Sequence, residues 1–216
     1  MRVLKLSRED LLAKLGLAAE SRIVVLLPGS RKGEVARHVP DVVAAAQTLR
    51  DRAGAVPILA LPGGFGAAQC DFLEPFRAAS IQVVEGLTWD VLAHADLALA
   101  ASGTVTIEAA MLGTPMVTFY RVNAISWYLG RWLVKSPFLS MVNLVAGRKI
   151  VAELIQNEMT ADAIATEGLR LLEDEDARRH MQAGLAEVVA KLSSEHDPME
   201  TAAACIERIW SETHKH

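Results

Sequence analysis

The sequence predicts an α/β fold: a Rossmann-like, doubly wound parallel sheet with a helical C-terminal tail. Short apolar runs alternate with segments whose apolar residues recur at helical spacing. The connections are short, and glycine or proline follows several of the apolar runs. After Tyr120 the strand signal fades while the helical periodicity continues. Strand–helix alternation of this kind implies right-handed crossovers and a parallel sheet covered by helices on both faces.

The expected strands are short apolar runs that end at a turn signal or before a helical segment. They are residues 22–27, 56–61, 81–84, 97–100 and 116–119. In each expected helix, apolar residues recur three and four positions apart. They are residues 7–15, 34–53, 71–79, 89–95, 104–112, 160–172, 176–192 and 198–209. Pro40 predicts a kink or a restart within the second helix.

The composition argues against several classes of protein. A formal net charge of −4 over 216 residues disfavours general nucleic-acid binding. Cys70 and Cys205 are too few for a disulfide framework and lack metal-ligand spacing, so no metal is expected. No run of about 20 uncharged apolar residues occurs, so we expect no spanning helix. The N-terminal segment contains the acidic residues Glu9 and Asp10, which argues against a secretory signal and for a cytoplasmic protein.

The first candidate site is the loop after the first strand, LLPGSRKGE, residues 26–34. Gly29 permits close backbone approach, Ser30 leads into the start of a helix, and Arg31 adds a fork-shaped cation. Helix N-termini preceded by such loops bind phosphate. The loop matches neither Walker A nor GxGxxG, which disfavours P-loop and dinucleotide sites. A tight turn with a surface arginine is the alternative.

The second candidate site is ASGTVTIEAAMLGTPMVTF, residues 101–119. Ser102 is expected to be the N-cap, and Gly103 and Thr104 to present free amides at the helix start. Glu108 comes four residues after Thr104 and shares its helical face, where a carboxylate can accept hydrogen bonds from a ribose diol. A capped helix with an incidental surface glutamate is the alternative.

The two loops are expected at the same edge of the sheet. Both follow parallel strands, and open α/β folds bind ligands outside the carboxyl ends of their strands. Together the loops predict a nucleoside diphosphate, or a conjugate of one, as the ligand.

Two later segments carry further candidates. In residues 123–141, aromatic side chains alternate with basic ones, which suits a membrane interface, an acyl-chain contact or a core helix. The contact residues expected there are Trp127, Tyr128, Arg131, Trp132 and Lys135. In VNLVAGRKIVAELIQ, residues 142–156, amide and carboxylate side chains have the chemistry to read a uracil or sugar edge. The histidines, including His38, are expected to be solvated or to cap helices.

Three motifs in this order resemble lipid-A-disaccharide synthase: LLPGSRKGE, ASGTVTIEAAMLGTPMV followed by Tyr120-Arg121, and NLVAGRKIVAELIQ. The resemblance spans residues 22–156. That family contains inverting glycosyltransferases of GT-B architecture, in which two Rossmann-like halves face a cleft. It implies transfer from UDP-2,3-diacylglucosamine to 2,3-diacylglucosamine 1-phosphate with release of UDP. It also implies a site on the cytoplasmic face of the inner membrane, with no cofactor or metal.

By this resemblance, residues 1–216 form one UDP-sugar-binding domain, the C-terminal donor half. Residues 1–20 are then a linker-derived helix and 198–213 a C-terminal crossing helix. The implied UDP-binding residues are Gly29, Ser30, Arg31, Ser102, Gly103, Thr104, Glu108, Asn143, Glu153 and Gln156.

The family's N-terminal acceptor half, with the presumed catalytic base, has no counterpart in this sequence, so the catalytic residues are unknown. The expected partners are the UDP-sugar, an acceptor domain or a second copy, and the inner membrane. Two alternatives stay open: a non-catalytic nucleotide-sugar-binding subunit of a split glycosyltransferase, and a UDP-sugar 2-epimerase-like domain.

Overall fold

A six-stranded, all-parallel sheet with strand order β3-β2-β1-β4-β5-β6 organises the chain. A computed structural model describes residues 4–65, 71–123, 136–193 and 198–213. The strands are β1 Ile23–Leu27, β2 Val56–Leu61, β3 Gln82–Glu85, β4 Leu97–Ala101, β5 Met116–Tyr120 and β6 Ala152–Ile155.

Helices precede, connect or follow these strands. They are α1 Arg8–Leu15, α2 Lys32–Ala53, α3 Glu74–Ala78, α4 Thr88–His94, α5 Val105–Met111, α6 Met141–Ala146, α7 Ala161–Glu173, α8 Glu175–Leu192 and α9 Pro198–Thr213. Two 3₁₀ turns, Asp71–Leu73 and Gln156–Glu158, complete the described elements. The predicted α/β doubly wound class is confirmed.

The two central strands, β1 and β4, are buried along their whole length. Helices on both faces exclude water from them, which is why their sequences are continuous apolar runs rather than alternating ones. The chain winds outward from β1 to β3 and then crosses back, so Val24 pairs with Pro57 on one side and Leu97 on the other. The winding direction therefore reverses between β1 and β4.

The five expected strands did not include β6, which follows Tyr120 where the strand signal fades. β6 pairs in parallel with β5, with Val117 opposite Ala152 and Tyr120 opposite Ile155. Only Ala152 of its four residues is buried, because β6 lies at the sheet edge. A short edge strand with a glutamate in its middle lacks the apolar run that marks a buried parallel strand.

The expected restart of the helix at Pro40 was wrong, and a kink there stays a prediction. α2 runs as one helix of 22 residues through this proline. Pro40 and Ala36 lie on the exposed side of the helix, so the Ala36 carbonyl left without an N–H partner can bond to water.

The ends of the chain pack differently. Asp90, buried in α4, accepts hydrogen bonds from the backbone N–H groups of Lys5 (2.6 Å) and Leu6 (2.9 Å). The segment before α1 is therefore fastened to the domain. α9 instead exposes Ile206 and Trp210. Within the described ranges, no helix is both long enough and apolar enough to span a bilayer.

Candidate functional site

The two glycine-containing loops meet where the winding direction reverses. Gly29 follows β1 with a φ of 119°, and a Cβ built on it would lie 3.7 Å from the Cβ of Ala101, the last residue of β4. That is an ordinary contact distance, so the backbone conformation, rather than lack of space, requires glycine here. In open α/β sheets, ligands bind at this kind of switch point.

Backbone N–H groups are available at both loops. α2 has no side-chain cap at Arg31, and α5 has none at Thr104. The first N–H groups of a helix have no partner within the helix, and they carry its partial positive charge. The N–H groups of Gly103 and Thr104 also bond to no other described residue. The arrangement is suited to an anion such as a diphosphate.

Arg31, the cation of the first loop, forms a salt bridge with Glu34. Arg31 Nη1 donates to Glu34 Oε1 at 2.9 Å, and the Tyr120 hydroxyl donates to the same oxygen at 2.9 Å. The hydrogen bond and the charge of Glu34 raise the pKa of Arg31. Burial, followed by the hydrogen bond to Glu34, raises the pKa of Tyr120. At neutral pH Arg31 is therefore a guanidinium cation and Tyr120 a neutral phenol.

Ser102 is not the N-cap that the sequence predicted. α5 begins at Val105 with Thr104 as its N-cap residue, so Ser102 lies two residues too early to cap the helix. Its hydroxyl instead donates to the carbonyl of Leu139 at 3.1 Å, and its N–H donates to the Phe119 carbonyl at 2.8 Å. Ser102 thus connects the second loop to the end of β5 and to the segment before α6.

Glu108 lies one helical turn beyond Thr104, as predicted. It is half-buried, and its carboxylate makes no hydrogen bond to any other residue that the structure describes. Its oxygens are consequently available to hydroxyl donors from a ligand.

Asn143 and Glu153 hold β6 against α6. Asn143 is completely buried, and its Nδ2 donates to the Val151 carbonyl (3.0 Å) and to Glu153 Oε1 (2.8 Å). Glu153 also accepts from the N–H groups of Leu139 (2.9 Å) and Ser140 (3.0 Å). The structure brings the two residues together through bonds within the chain, and their contact with UDP stays a prediction.

Gln156 follows β6 with a φ of 54°. Its Oε1 accepts from the Val122 N–H at 3.0 Å, and its carbonyl accepts from Arg121 Nε at 3.2 Å. It therefore fastens the chain after β6 to the chain after β5, and a contact between Gln156 and UDP likewise stays a prediction.

The expectation that His38 is solvated or caps a helix was wrong, because its side chain is completely buried. It lies on the inner face of α2, where Val35, Val39 and Val42 are buried. That spacing was the available signal, since a residue three or four positions from buried valines shares their face. Sequence reasoning also missed Glu34, whose partners are Arg31 in the first loop and Tyr120 at the end of β5.

The predicted membrane or acyl contacts Trp127, Tyr128, Arg131, Trp132 and Lys135 lie outside the described residues. Among the residues that are described, no group of three or more His, Cys, Asp and Glu side chains is arranged to hold a metal ion.

Comparison with known proteins identifies the family. The lipid-A-disaccharide synthetase family model matches residues 4–206. The chain is 50% identical over 204 residues to a lipid-A-disaccharide synthase of Solibacter usitatus, covering 94% of this chain and 53% of that protein. It is 37% identical over 206 residues to the Geobacter metallireducens lipid-A-disaccharide synthase, covering 94% and 51%. The chain thus spans about half the length of the curated relatives it matches.

A solved structure supports the fold. E. coli ADP-heptose LPS heptosyltransferase II matches with a TM-score of 0.56 at 16% identity, over 82% of this chain and 54% of that one. The extent of the family match and the identity to its members decide the assignment. The chain belongs to the lipid-A-disaccharide synthetase family.

Proposed function

We propose that this chain is the donor-binding half of a lipid A disaccharide synthase. It binds the UDP part of UDP-2,3-diacylglucosamine, whose sugar is then transferred to 2,3-diacylglucosamine 1-phosphate. The observation that carries the proposal is that the loops after β1 and β4, two neighbouring parallel strands, lie at one edge of the sheet, and that each opens a helix without a side-chain cap. Two uncapped helix starts at one sheet edge favour a ligand with two linked anionic groups.

The diphosphate binds to the backbone N–H groups of both loops. Gly29 and Ser30 contribute from the first loop, Gly103 and Thr104 from the second. Arg31, whose side chain is 78% exposed, has the freedom to turn from Glu34 to the phosphate oxygens. A guanidinium suits phosphate because it donates two parallel hydrogen bonds.

The ribose hydroxyls donate to Glu108. Its carboxylate has no internal partner among the described residues and lies one helical turn beyond the Thr104 N–H. Asn143, Glu153 and Gln156 support the site by holding β6 and the segments beside it, as their hydrogen bonds within the chain favour.

The transfer inverts the configuration at the anomeric carbon. An acceptor hydroxyl attacks that carbon, the bond to the UDP oxygen breaks, and UDP leaves with the bonding electrons while a base takes the hydroxyl proton. The amides and Arg31 stabilise the charge that develops on the leaving diphosphate, without a metal or cofactor. The base and the acceptor pocket belong to a second, acceptor domain, so this chain alone binds UDP and does not catalyse transfer.

Calorimetric titration with UDP and with 2′,3′-dideoxy-UDP tests the assignment of the ribose. We expect Glu108→Gln to weaken UDP binding roughly tenfold and to reduce the preference for UDP over the dideoxy analogue, because hydrogen bonds to charged groups are the stronger ones. Glu173→Gln, an exposed position at the end of α7, is the matched control. No heat at millimolar UDP, or equal affinity in both variants, would contradict the proposal.

The aromatic and basic residues between 127 and 135 make peripheral contact with the cytoplasmic face of the inner membrane. Co-sedimentation with vesicles that contain anionic lipid measures this contact. Exchange of Trp127 and Trp132 for serine is expected to lower the bound fraction, and unchanged sedimentation would count against the contact.

A transfer assay with and without an added N-terminal domain of a relative tests whether this chain needs the acceptor half for catalysis.

A further inference from the structure

The buried imidazole of His38 bridges two backbone groups. Its Nδ1 lies 2.7 Å from the carbonyl oxygen of Pro28, and the Arg121 N–H donates to its Nε2 at 3.0 Å. A carbonyl only accepts and a backbone N–H only donates, so Nδ1 carries the hydrogen and Nε2 carries none. The contacts therefore select one neutral tautomer.

The bridged groups flank the site. Pro28 directly precedes Gly29, and Arg121 directly follows β5. β4, which leads into the second loop, lies between β1 and β5 in the sheet. His38 consequently joins the first loop, after β1, to the residue that follows β5, and β4 with the second loop lies between them.

The Arg121 end of the bridge is firmly anchored. Its guanidinium donates to Asp41 Oδ2 at 2.6 Å and also to the backbone carbonyls of Gln156 and Met159. Asp41 in turn accepts from the Ala161 N–H at 3.1 Å, at the start of α7. A loop attached to Arg121 is thereby attached to α2 and to residues 156–161.

The Pro28 end sets the orientation of a ligand-facing peptide. In a trans peptide the C=O and the following N–H point in opposite directions, so holding the Pro28 carbonyl fixes the direction of the Gly29 N–H. Gly29 itself has a φ of 119°, a conformation that few residues adopt. Without the bridge the Pro28 carbonyl loses the hydrogen bond from His38 that fixes this peptide plane.

The surroundings keep the ring neutral. Burial lowers the pKa of His38 and outweighs the opposing effects of the Pro28 carbonyl and the Glu34 carboxylate. The groups that face the ring are Glu34 on the same helix, the Arg121 guanidinium, and the rings of Phe119 and Tyr120. A second ring hydrogen on Nε2 would point at the Arg121 N–H, so the neutral form is the one that fits.

We propose that His38 is a positioning residue of the nucleotide site: a two-ended clamp that holds the 28–31 loop in its diphosphate-binding conformation. The inference rests on the proposed UDP site. It assigns no contact between His38 and the ligand, so its expected signature is a loss of affinity for the diphosphate without a loss of affinity for the nucleoside.

Two variants that each preserve one end of the clamp test this. An asparagine amide reaches the position of Nδ1 and a glutamine amide that of Nε2, so His38→Asn and His38→Gln each lose one hydrogen bond. We expect each variant to bind UDP roughly tenfold more weakly than wild type, with uridine affinity within about twofold. His180→Asn, at an exposed position of α8, is the matched control.

The outcomes separate the hypotheses. Wild-type affinity for UDP in either variant, or equal losses for UDP and uridine, would overturn the clamp. Nitrogen-15 NMR of the wild-type ring gives a second measurement that needs no variant: a hydrogen on Nε2 at neutral pH would also overturn it. If the wild-type chain fails to bind UDP, the proposed function falls and the inference falls with it, whereas wild-type binding with unaffected variants removes the clamp alone.

Discussion

Asn143→Asp separates a structural role for this residue from a ligand-binding one. The substitution preserves the shape of the side chain and the acceptor Oδ1, to which Ile150 and Val151 donate at 2.7 and 3.0 Å. It removes both Nδ2 donors, which serve the Val151 carbonyl and Glu153 Oε1. It also places a second carboxylate next to Glu153, where the amide nitrogen now lies 2.8 Å away.

The magnitude follows from these contacts. The Val151 carbonyl is left without its donor, which costs about 1–3 kcal/mol, and Glu153 Oε1 keeps the Ser140 N–H but loses its second donor, which costs about 1 kcal/mol. The two losses together cost about 3 kcal/mol at neutral pH before any charge repulsion. The free energy of unfolding of a small domain is about 5–15 kcal/mol, so this loss is a large fraction of it. At about 2–4 °C per kcal/mol for a chain of this size, the melting temperature should fall by about 10 °C.

Thermal and urea unfolding at several pH values measure the effect. The destabilisation should shrink as the pH falls from 7 towards 5, because a proton entering the carboxylate pair restores one donor. Asn157→Asp makes the same chemical change at an exposed position and should alter stability by less than about 0.5 kcal/mol. A variant that melts like wild type yet binds UDP ten times more weakly would refute the reasoning and make Asn143 a ligand contact.

Three further substitutions or titrations probe the frame of the site. Gly168→Ala would place a Cβ 3.0 Å from Leu49 Cδ2, so urea unfolding should reveal a loss of about 1–3 kcal/mol despite alanine's higher helix propensity. The exposed Gly33→Ala should lose nothing, and equal behaviour of the two would contradict the packing argument. Arg121→Ala should cost about 2–4 kcal/mol in the same assay, and Arg121→Lys should not restore it, because lysine cannot reach three acceptors with one planar fork. Burial lowers the pKa of His38, so the unfolded chain binds a proton at a higher pH than the folded chain does. The free energy of unfolding should therefore fall by up to about 1.4 kcal/mol per pH unit below about pH 6.5. His38→Asn should remove this component of the pH profile.

The central strands and both candidate loops could be predicted from the sequence. β1 and β4 are buried on both faces, so each is a continuous apolar run, and the glycine after each run marks the point where the chain turns at the sheet edge. Gly29 has a positive φ, so the residue type itself reports the backbone conformation. Local patterns of this kind depend only on neighbours in sequence, which is why a single chain suffices to find them.

The edge strand and the partners of polar side chains were decided by the tertiary structure. β6 forms because β5 offers it a hydrogen-bonding edge, although its own four residues lack a strand pattern. The hydrogen-bond partners of His38 are Pro28 and Arg121, 10 residues before it and 83 after it, and only the folded chain brings them to its two nitrogens. By itself the sequence determined the parallel sheet, the glycine loops at its carboxyl edge and the family. The structure decided which polar groups hold those loops in place, because a hydrogen bond between distant residues exists only after the strands between them have aligned.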